Sequence, residues 1–339
     1  MGEGSVDMKA MIMTKVGGAE VLELQEVPQP SIERETDILV RVKASAINPV
    51  DAKQRTRGTW YPSEPPQILG IDGAGVIEEV GKAIKELKPG DEVFFAAGGM
   101  GKSPGNNAEF NVIDGRFAAR KPSAVTFEEA AAVPCAAITA WESLFDHGGL
   151  EEGQKVLVHA GAGGVGHAAI QLAKAKGVHV CTTVSSDEKA RFVKGLGADK
   201  VVRYRDEDFV QEVLDWTDGA GVDVLLDLVG GETLFKSLSC TRFYGTVVEI
   251  LSPGLAAADW TEARLRNLRI AWELMLTPMY YDLEDKQAHH RDILECLAAM
   301  MEKGTLKMHI SNTFPLEKAA DAHRAIEQGH TMGKLVLTV

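Results

Sequence analysis

The segment "KVLVHAGAGGVGHAAIQLAKAKG" (155–177) constrains the fold more than any other stretch of this chain. An apolar run leads directly into four glycines within six positions (161–166), and a helical pattern with a closing glycine follows. A bare G-x-G-x-x-G match says little in a chain with 34 glycines. Placed between a strand and a helix, it predicts a loop that cradles a pyrophosphate. Gly161 allows the tight turn, Gly163 the close approach of backbone to phosphate, and Gly166 the close packing of helix on strand. Gly164 and Val165 then open the helix, where free N–H groups and the positive dipole end face an anion.

The surrounding pattern extends this unit into a sheet. Thr126 and Glu129 in "TFEEAAAVP" form a capping box and predict a helix start. Beyond it, apolar runs at 155–160, 178–184, 200–204, 222–230 and 245–251 alternate with helical segments. Near-continuous apolar strands alternating with helices predict a parallel sheet covered on both faces. Up to about residue 125 the signals are β-like instead, with strands expected at 38–48 and 73–81 and after the turn in "KPGDEVFF". The final strand, in "GKLVLTV", needs partners, and the β-rich first part is its expected host. The expectation is a discontinuous domain, 1–128 plus 305–339, with an α/β domain, 129–304, inserted.

A chain of 339 residues exceeds what one core usually supports, so two domains are also the expectation from length. A net charge of −13 argues against nucleic-acid or membrane surfaces as partners. No apolar run approaches the roughly 20 residues of a bilayer span. The start "MGEGSVDMKAMIM" has no basic segment followed by an apolar one, so no signal peptide is expected. Cys135, Cys181, Cys240 and Cys296 lie far apart, which reads as reduced thiols in a cytoplasmic protein.

The second strand of the sheet decides the dinucleotide. NAD-binding versions carry an acid at its end for the ribose 2′-OH. Here Val184, Ser185 and Ser186 stand at that end, and Asp187 is placed as a first-turn helix acid. Ser185, Lys189, Arg203 and Tyr204 are candidates to surround a 2′-phosphate, which favours NADPH over NADH. Ligands lie outside the carboxyl ends of parallel strands. That rule adds Val229 in "DLVGG" and Ile250 and Ser252 in "EILS" to the cofactor site.

The sequence resembles the medium-chain dehydrogenase/reductases, on the zinc-independent quinone oxidoreductase (zeta-crystallin-like) branch. The likeness runs nearly end to end, through "VKASAINPVD", "GIDGAGVIEEVG", "KPGDEVF", "FEEAAAVPCAAITAWESL", the glycine loop, "DLVGG" and "GKLVL". It implies a doubly wound Rossmann domain inserted into a GroES-like β domain. The three catalytic-zinc positions of the zinc-dependent relatives correspond to Asn48, Ile71 and Cys135. Catalytic zinc needs three protein ligands, so no metal is expected, and Cys135 is read as a buried small hydrophobe.

Without a metal, generating an alkoxide is hard, whereas hydride addition to a conjugated carbonyl needs only donors for the developing oxyanion. The expectation is therefore an NADPH-dependent reductase of quinones or α,β-unsaturated carbonyls. The alternatives are a non-enzymatic NADPH-binding protein and a metal-free alcohol dehydrogenase. The resemblance puts Asn48 beside the acceptor, although a turn amide before Pro49 is the plain alternative. Asp51 is a candidate to orient that region, and Tyr61 is a second donor candidate, with Trp60 as a pocket wall. The resemblance also implies that Thr139 lies beside the nicotinamide and Lys334 near the cofactor. Finally, it implies a homodimer formed through an edge strand in the apolar segment 267–281.

Overall fold

The computed structural model describes residues 6–61, 63–251 and 259–339. The chain divides into two compact units, one of residues 1–135 with 276–339 and one of residues 136–275. The return to the first unit thus falls at 276, earlier than the sequence boundary at 305. The helix Glu284–Glu302 accounts for the difference. It continues the helical pattern of the inserted region, yet it packs on Gly115–Phe117 and Ala119–Arg120 of the first unit.

In the first unit, strand Asp37–Ile47 is the axis of a seven-stranded sheet. Asp72–Val80 and Phe110–Asp114 pair with it antiparallel, and Glu92–Ala96 follows outside Asp72–Val80. Lys334–Thr338 completes the other side, with Leu335 opposite Ile47, so the final strand finds the host expected from its sequence. Ile38, Val40, Ile77, Val93 and Phe95 pack one core, and Ile47, Leu69, Leu335 and Leu337 belong to another. Helix Pro49–Arg57 was not legible in the β-like first part. Its start is nonetheless local chemistry: Pro49 occupies a first-turn position where no N–H is needed, and Arg55 and Arg57 complement the C-terminal dipole.

The second unit is a six-stranded parallel sheet in the order Lys200–Arg203, His179–Val184, Lys155–Val158, Val222–Asp227, Thr241–Glu249 and Arg269–Trp272. All its strand pairs are parallel. The order reverses between Lys155–Val158 and Val222–Asp227, the switch point at which doubly wound sheets bind ligands. Leu157, Leu225 and Val247 share one core cluster, as near-continuous apolar strands require. The apolar segment 267–281 is not one strand. Arg269–Trp272 forms the sheet edge, and Thr277–Tyr280 is a helical turn in the first unit. Among the described residues, no helix is long and apolar enough to cross a membrane.

Candidate active site

The glycine loop has the shape its sequence predicts. Gly163 precedes helix Gly164–Ala175 in extended conformation and offers no side-chain cap, so the first-turn N–H groups are left for another acceptor. A Cβ on Gly161 would lie 1.9 Å from Thr182 Oγ1, whose hydroxyl already donates to the Val158 carbonyl at 2.7 Å. A Cβ on Gly166 would lie 2.5 Å from the Ala160 carbonyl oxygen. The loop therefore fits a pyrophosphate: uncapped donors in a cradle that side chains would fill. His159, just before it, is buried between Thr183 Oγ1 (2.9 Å) and Ser237 Oγ (2.8 Å). Burial pushes its pKa down to about 4, so it is a neutral strap between elements rather than a base.

At the neighbouring strand ends, Ser186 caps helix Asp187–Gly195 by accepting the Lys189 N–H at 3.3 Å. Ser185 is left uncommitted to that cap. The Asp187 carboxylate receives the Arg203 guanidinium at 2.8 Å. Lys189 is half-buried, and its pKa is lowered by burial and then by Arg205, with Glu188 opposing weakly. Tyr204 is exposed beside Arg205. Arg205 is a cation that the sequence reading did not single out; it stands one residue past Tyr204 in a charged run, "RYRDEDF".

Across the switch point, Asp227 and Glu249 are cross-strand partners at the ends of adjacent strands, both buried. Asp227 accepts the N–H groups of Val229 (3.0 Å) and Gly230 (2.9 Å), and Glu249 accepts that of Leu251 (2.6 Å). Burial, and then the neighbouring Asp227, push the Glu249 carboxyl well above the usual range. Val229 is exposed and Ile250 half-buried at this rim, while Ser252 lies outside the described residues. Thr139 is buried on helix Pro134–Trp141.

The first unit holds a buried polar cluster. Asn48 sits immediately before helix Pro49–Arg57, so it is a helix cap rather than a turn amide. Its backbone N–H donates to Asp51 Oδ2 at 2.8 Å. Its side-chain Nδ2 donates to Asp72 Oδ2 at 2.9 Å. Lys334 Nζ donates to Asn48 Oδ1 and, at 3.2 Å, to Asp72 Oδ2. The Cys135 N–H donates to Asp72 Oδ1 at 2.8 Å. Asn48, Asp51, Asp72 and Lys334 are each at most 5% exposed. Asp72 was missed by sequence reasoning; its only signal is a lone acid inside the apolar, glycine-rich "GIDGAG". Lys334, expected near the cofactor, is a buried partner of Asn48 and Asp72.

Tyr61 makes its contacts elsewhere. Its hydroxyl donates to the main-chain carbonyls of Met279 (3.2 Å) and Tyr280, and its ring stacks on Tyr280 with centroids 4.8 Å apart. It lines a cavity of about 490 Å³ with Phe95, Met100 and Phe117, which none of the four cluster residues line. While those bonds hold, its one proton is committed. One smaller reading also changes. Cys135 is half-buried rather than buried.

Asp51 gives this cluster a pH signature. Burial raises its carboxyl pKa from an ordinary 3.8 to about 7, against the opposing bond from the Asn48 N–H. A raised folded-state pKa means stability that is full below the unfolded value and lost as pH rises through the folded one. The midpoint of urea unfolding is therefore expected to fall between pH 4 and pH 7. Asp51→Asn, which keeps an oxygen for the Asn48 N–H, is expected to flatten that fall; an unchanged slope in the variant counts against a protonated Asp51.

The donor set at the three zinc positions does not fit a metal. The Asn48 oxygen faces an ammonium, Ile71 is a fully buried hydrocarbon, and Cys135 alone offers a thiol.

A switch-point glycine loop in one unit and a buried donor cluster in the other are the equipment of a dinucleotide-dependent oxidoreductase. Known proteins agree. The sequence model of the alcohol dehydrogenase GroES-like domain matches residues 34–142, and that described as zinc-binding dehydrogenase matches 196–337. A quinone oxidoreductase of Pseudomonas aeruginosa is 34% identical over 322 residues, covering 95% of this chain and 96% of its own. An alcohol dehydrogenase superfamily protein from Novosphingobium aromaticivorans superposes with a TM-score of 0.90 at 30% identity, over 98% of this chain and 99% of its own. The Escherichia coli quinone oxidoreductase complexed with NADPH gives 0.86 at 29% identity, over 98% and 100%. The chain belongs to the quinone oxidoreductase family of the medium-chain dehydrogenase/reductases.

Proposed function

We propose that this oxidoreductase transfers hydride from NADPH to a quinone or an α,β-unsaturated carbonyl without a metal. The carrying observation is the Asn48 cluster, where the zinc-ligand positions hold an amide donor backed by a buried ammonium. The dinucleotide supplies the hydride when bound. The chain's own residues then do the rest. The glycine loop and the helix N-terminus Gly164–Gly166 hold phosphates, while Val229 and Ile250 belong to the rim along the dinucleotide, with Thr139 beside it. An Asn48 N–H polarises the acceptor carbonyl and receives the charge that develops on its oxygen. Asp51 fixes Asn48 through its backbone, and one proton from solvent completes the two-electron reduction. Steady-state NADPH oxidation tests this: turnover with 9,10-phenanthrenequinone or an alkenal supports it. Binding of NADPH with no turnover over a broad acceptor panel overturns it.

Preference for NADPH is supported by Ser185, Lys189, Tyr204 and Arg205 and by Asp187 being held by Arg203. Lys189→Ala and Arg205→Ala are each expected to raise the KM for NADPH by roughly tenfold, since each removes a charge-assisted bond to a phosphate, while the KM for NADH moves less than twofold. Equal effects on both dinucleotides would remove these residues from a 2′-phosphate site.

The homodimer also belongs to this reading. Strand Arg269–Trp272 is the sheet edge, and Trp272 and Leu274 beside it are 55% and 41% exposed. An apolar edge of this kind requires cover. Sedimentation equilibrium at micromolar concentration is expected to give twice the chain mass; a monomer counts against the edge as an interface. The wide spacing of the four cysteines in the sequence supports a reducing, cytoplasmic setting.

A further inference from the structure

We propose that Lys334 and Asp72 are positioning residues that lock the Asn48 amide in one orientation, so that the site takes ligands presenting a carbonyl oxygen in preference to those presenting a hydroxyl. The inference rests on the reading of Asn48 as the group that faces the acceptor.

A primary amide has two faces. Its oxygen accepts, its nitrogen donates two protons, and half a turn about the last side-chain bond exchanges them. Here both faces are held. Lys334 is an ammonium with no lone pair, so only Oδ1 can face it. An ionised Asp72 has no proton, so only Nδ2 can face it, at 2.9 Å. A flipped amide would set N–H against ammonium and C=O against carboxylate. That exchanges two charge-assisted bonds for two repulsions where water is nearly excluded.

The clamp is itself anchored. The Cys135 N–H holds the other Asp72 oxygen at 2.8 Å, and Asp51 holds the Asn48 backbone N–H at 2.8 Å. One Nδ2 hydrogen goes to Asp72. The second has no partner among the described residues and is the one offered to a ligand. The Lys334 charge on the oxygen side polarises the amide and strengthens that donor.

The selectivity follows from proton placement. A carbonyl oxygen asks only for donors. A hydroxyl must also place its own proton, and with Oδ1 turned to Lys334 the amide does not present that acceptor. A buried polar group left unpaired is penalised.

The test compares α-tetralone with 1-tetralol, a ketone and an alcohol of one carbon skeleton, by tryptophan-fluorescence titration without nucleotide. The unmutated protein is expected to bind the ketone about tenfold more tightly or better. Lys334→Met and Asp72→Asn each leave a buried charge unpaired, so the double variant K334M/D72N is the informative protein. In it the ketone-to-alcohol ratio is expected to fall to within about twofold of unity, with kcat for an enone reduced. A ratio preserved in the double variant, while Asn48→Ala abolishes it, overturns the clamp and leaves Asn48 in place. A ratio and kcat both unaffected by Asn48→Ala remove the reading of Asn48 itself, and the clamp with it. A second measurement needs no variant fold. One Asn48 side-chain NH₂ proton is expected to exchange with solvent slowly by NMR, and fast exchange of both overturns the proposal.

Discussion

Asn48→Ala is expected to lower kcat for quinone or enone reduction by roughly ten- to a hundredfold, with the NADPH dissociation constant changed less than threefold. Removing one donor to a developing oxyanion has an effect of this order where water is excluded. The fold is expected to survive the change. Lys334 Nζ already lies 3.2 Å from Asp72 Oδ2, so an alanine at 48 leaves the two charges paired with each other and orphans neither, which is what makes buried ion pairs costly to break. The helix Pro49–Arg57 loses a side chain that bonds Asp72 and Lys334, while the Asp51 bond to the residue-48 N–H is a backbone contact and persists. An unfolding midpoint near that of the parent, with kcat reduced, is the expected pair of results. Unchanged kcat with either acceptor class sinks the role.

Gly166→Val is expected to weaken dinucleotide binding by at least about a hundredfold, because the close approach it permits is the basis of the loop's design. The Cβ would meet the Ala160 carbonyl oxygen at 2.5 Å and Gly161 Cα at 2.7 Å. Both obstacles are backbone, so no rotamer change relieves the clash, and the loop and the helix Gly164–Ala175 must move apart. Loss of that packing is expected to lower the melting temperature by several degrees as well. Gly195→Ala is the matched control. A Cβ there meets nothing within 4 Å, so that variant is expected to bind NADPH normally and to be no less stable. Isothermal titration of both variants separates the two effects; normal binding by Gly166→Val would remove the loop from the phosphate site.

The two sites differ in how far their residues announce themselves. The glycine loop is written in consecutive residues, because turn, cap and helix start are all set by neighbours within one segment. The parallel strands were equally plain, since burial on both faces forces continuous apolar runs. The Asn48 cluster was legible only in part. Its helix, "PVDAKQRTR", has almost no apolar stripe and reads as loop. Asp72 looks like an isolated acid, and Lys334, 286 positions from Asn48, looks like a charge near a terminus. Tyr61 shows the converse. Its aromatic, hydroxyl-bearing setting suggested a donor, but the Met279 and Tyr280 carbonyls that take its proton come from a segment more than two hundred residues on. Local patterns specify elements, while which polar groups meet across a sheet depends on registers that only the assembled fold sets.

The closure of the first sheet by Lys334–Thr338 has a consequence for biogenesis. Strand Asp37–Ile47 leaves the ribosome long before its antiparallel partner Lys334–Thr338 is made, and the whole of 136–275 is synthesised in between. That intervening stretch has its own core and a sheet that pairs only within itself, so it can be completed while the earlier β segment still has an open edge. Lys334 belongs to the strand that closes this edge, so the ammonium that orders Asn48 is supplied by the last sheet pairing. Completion of the first sheet and arming of its donor are thus one event.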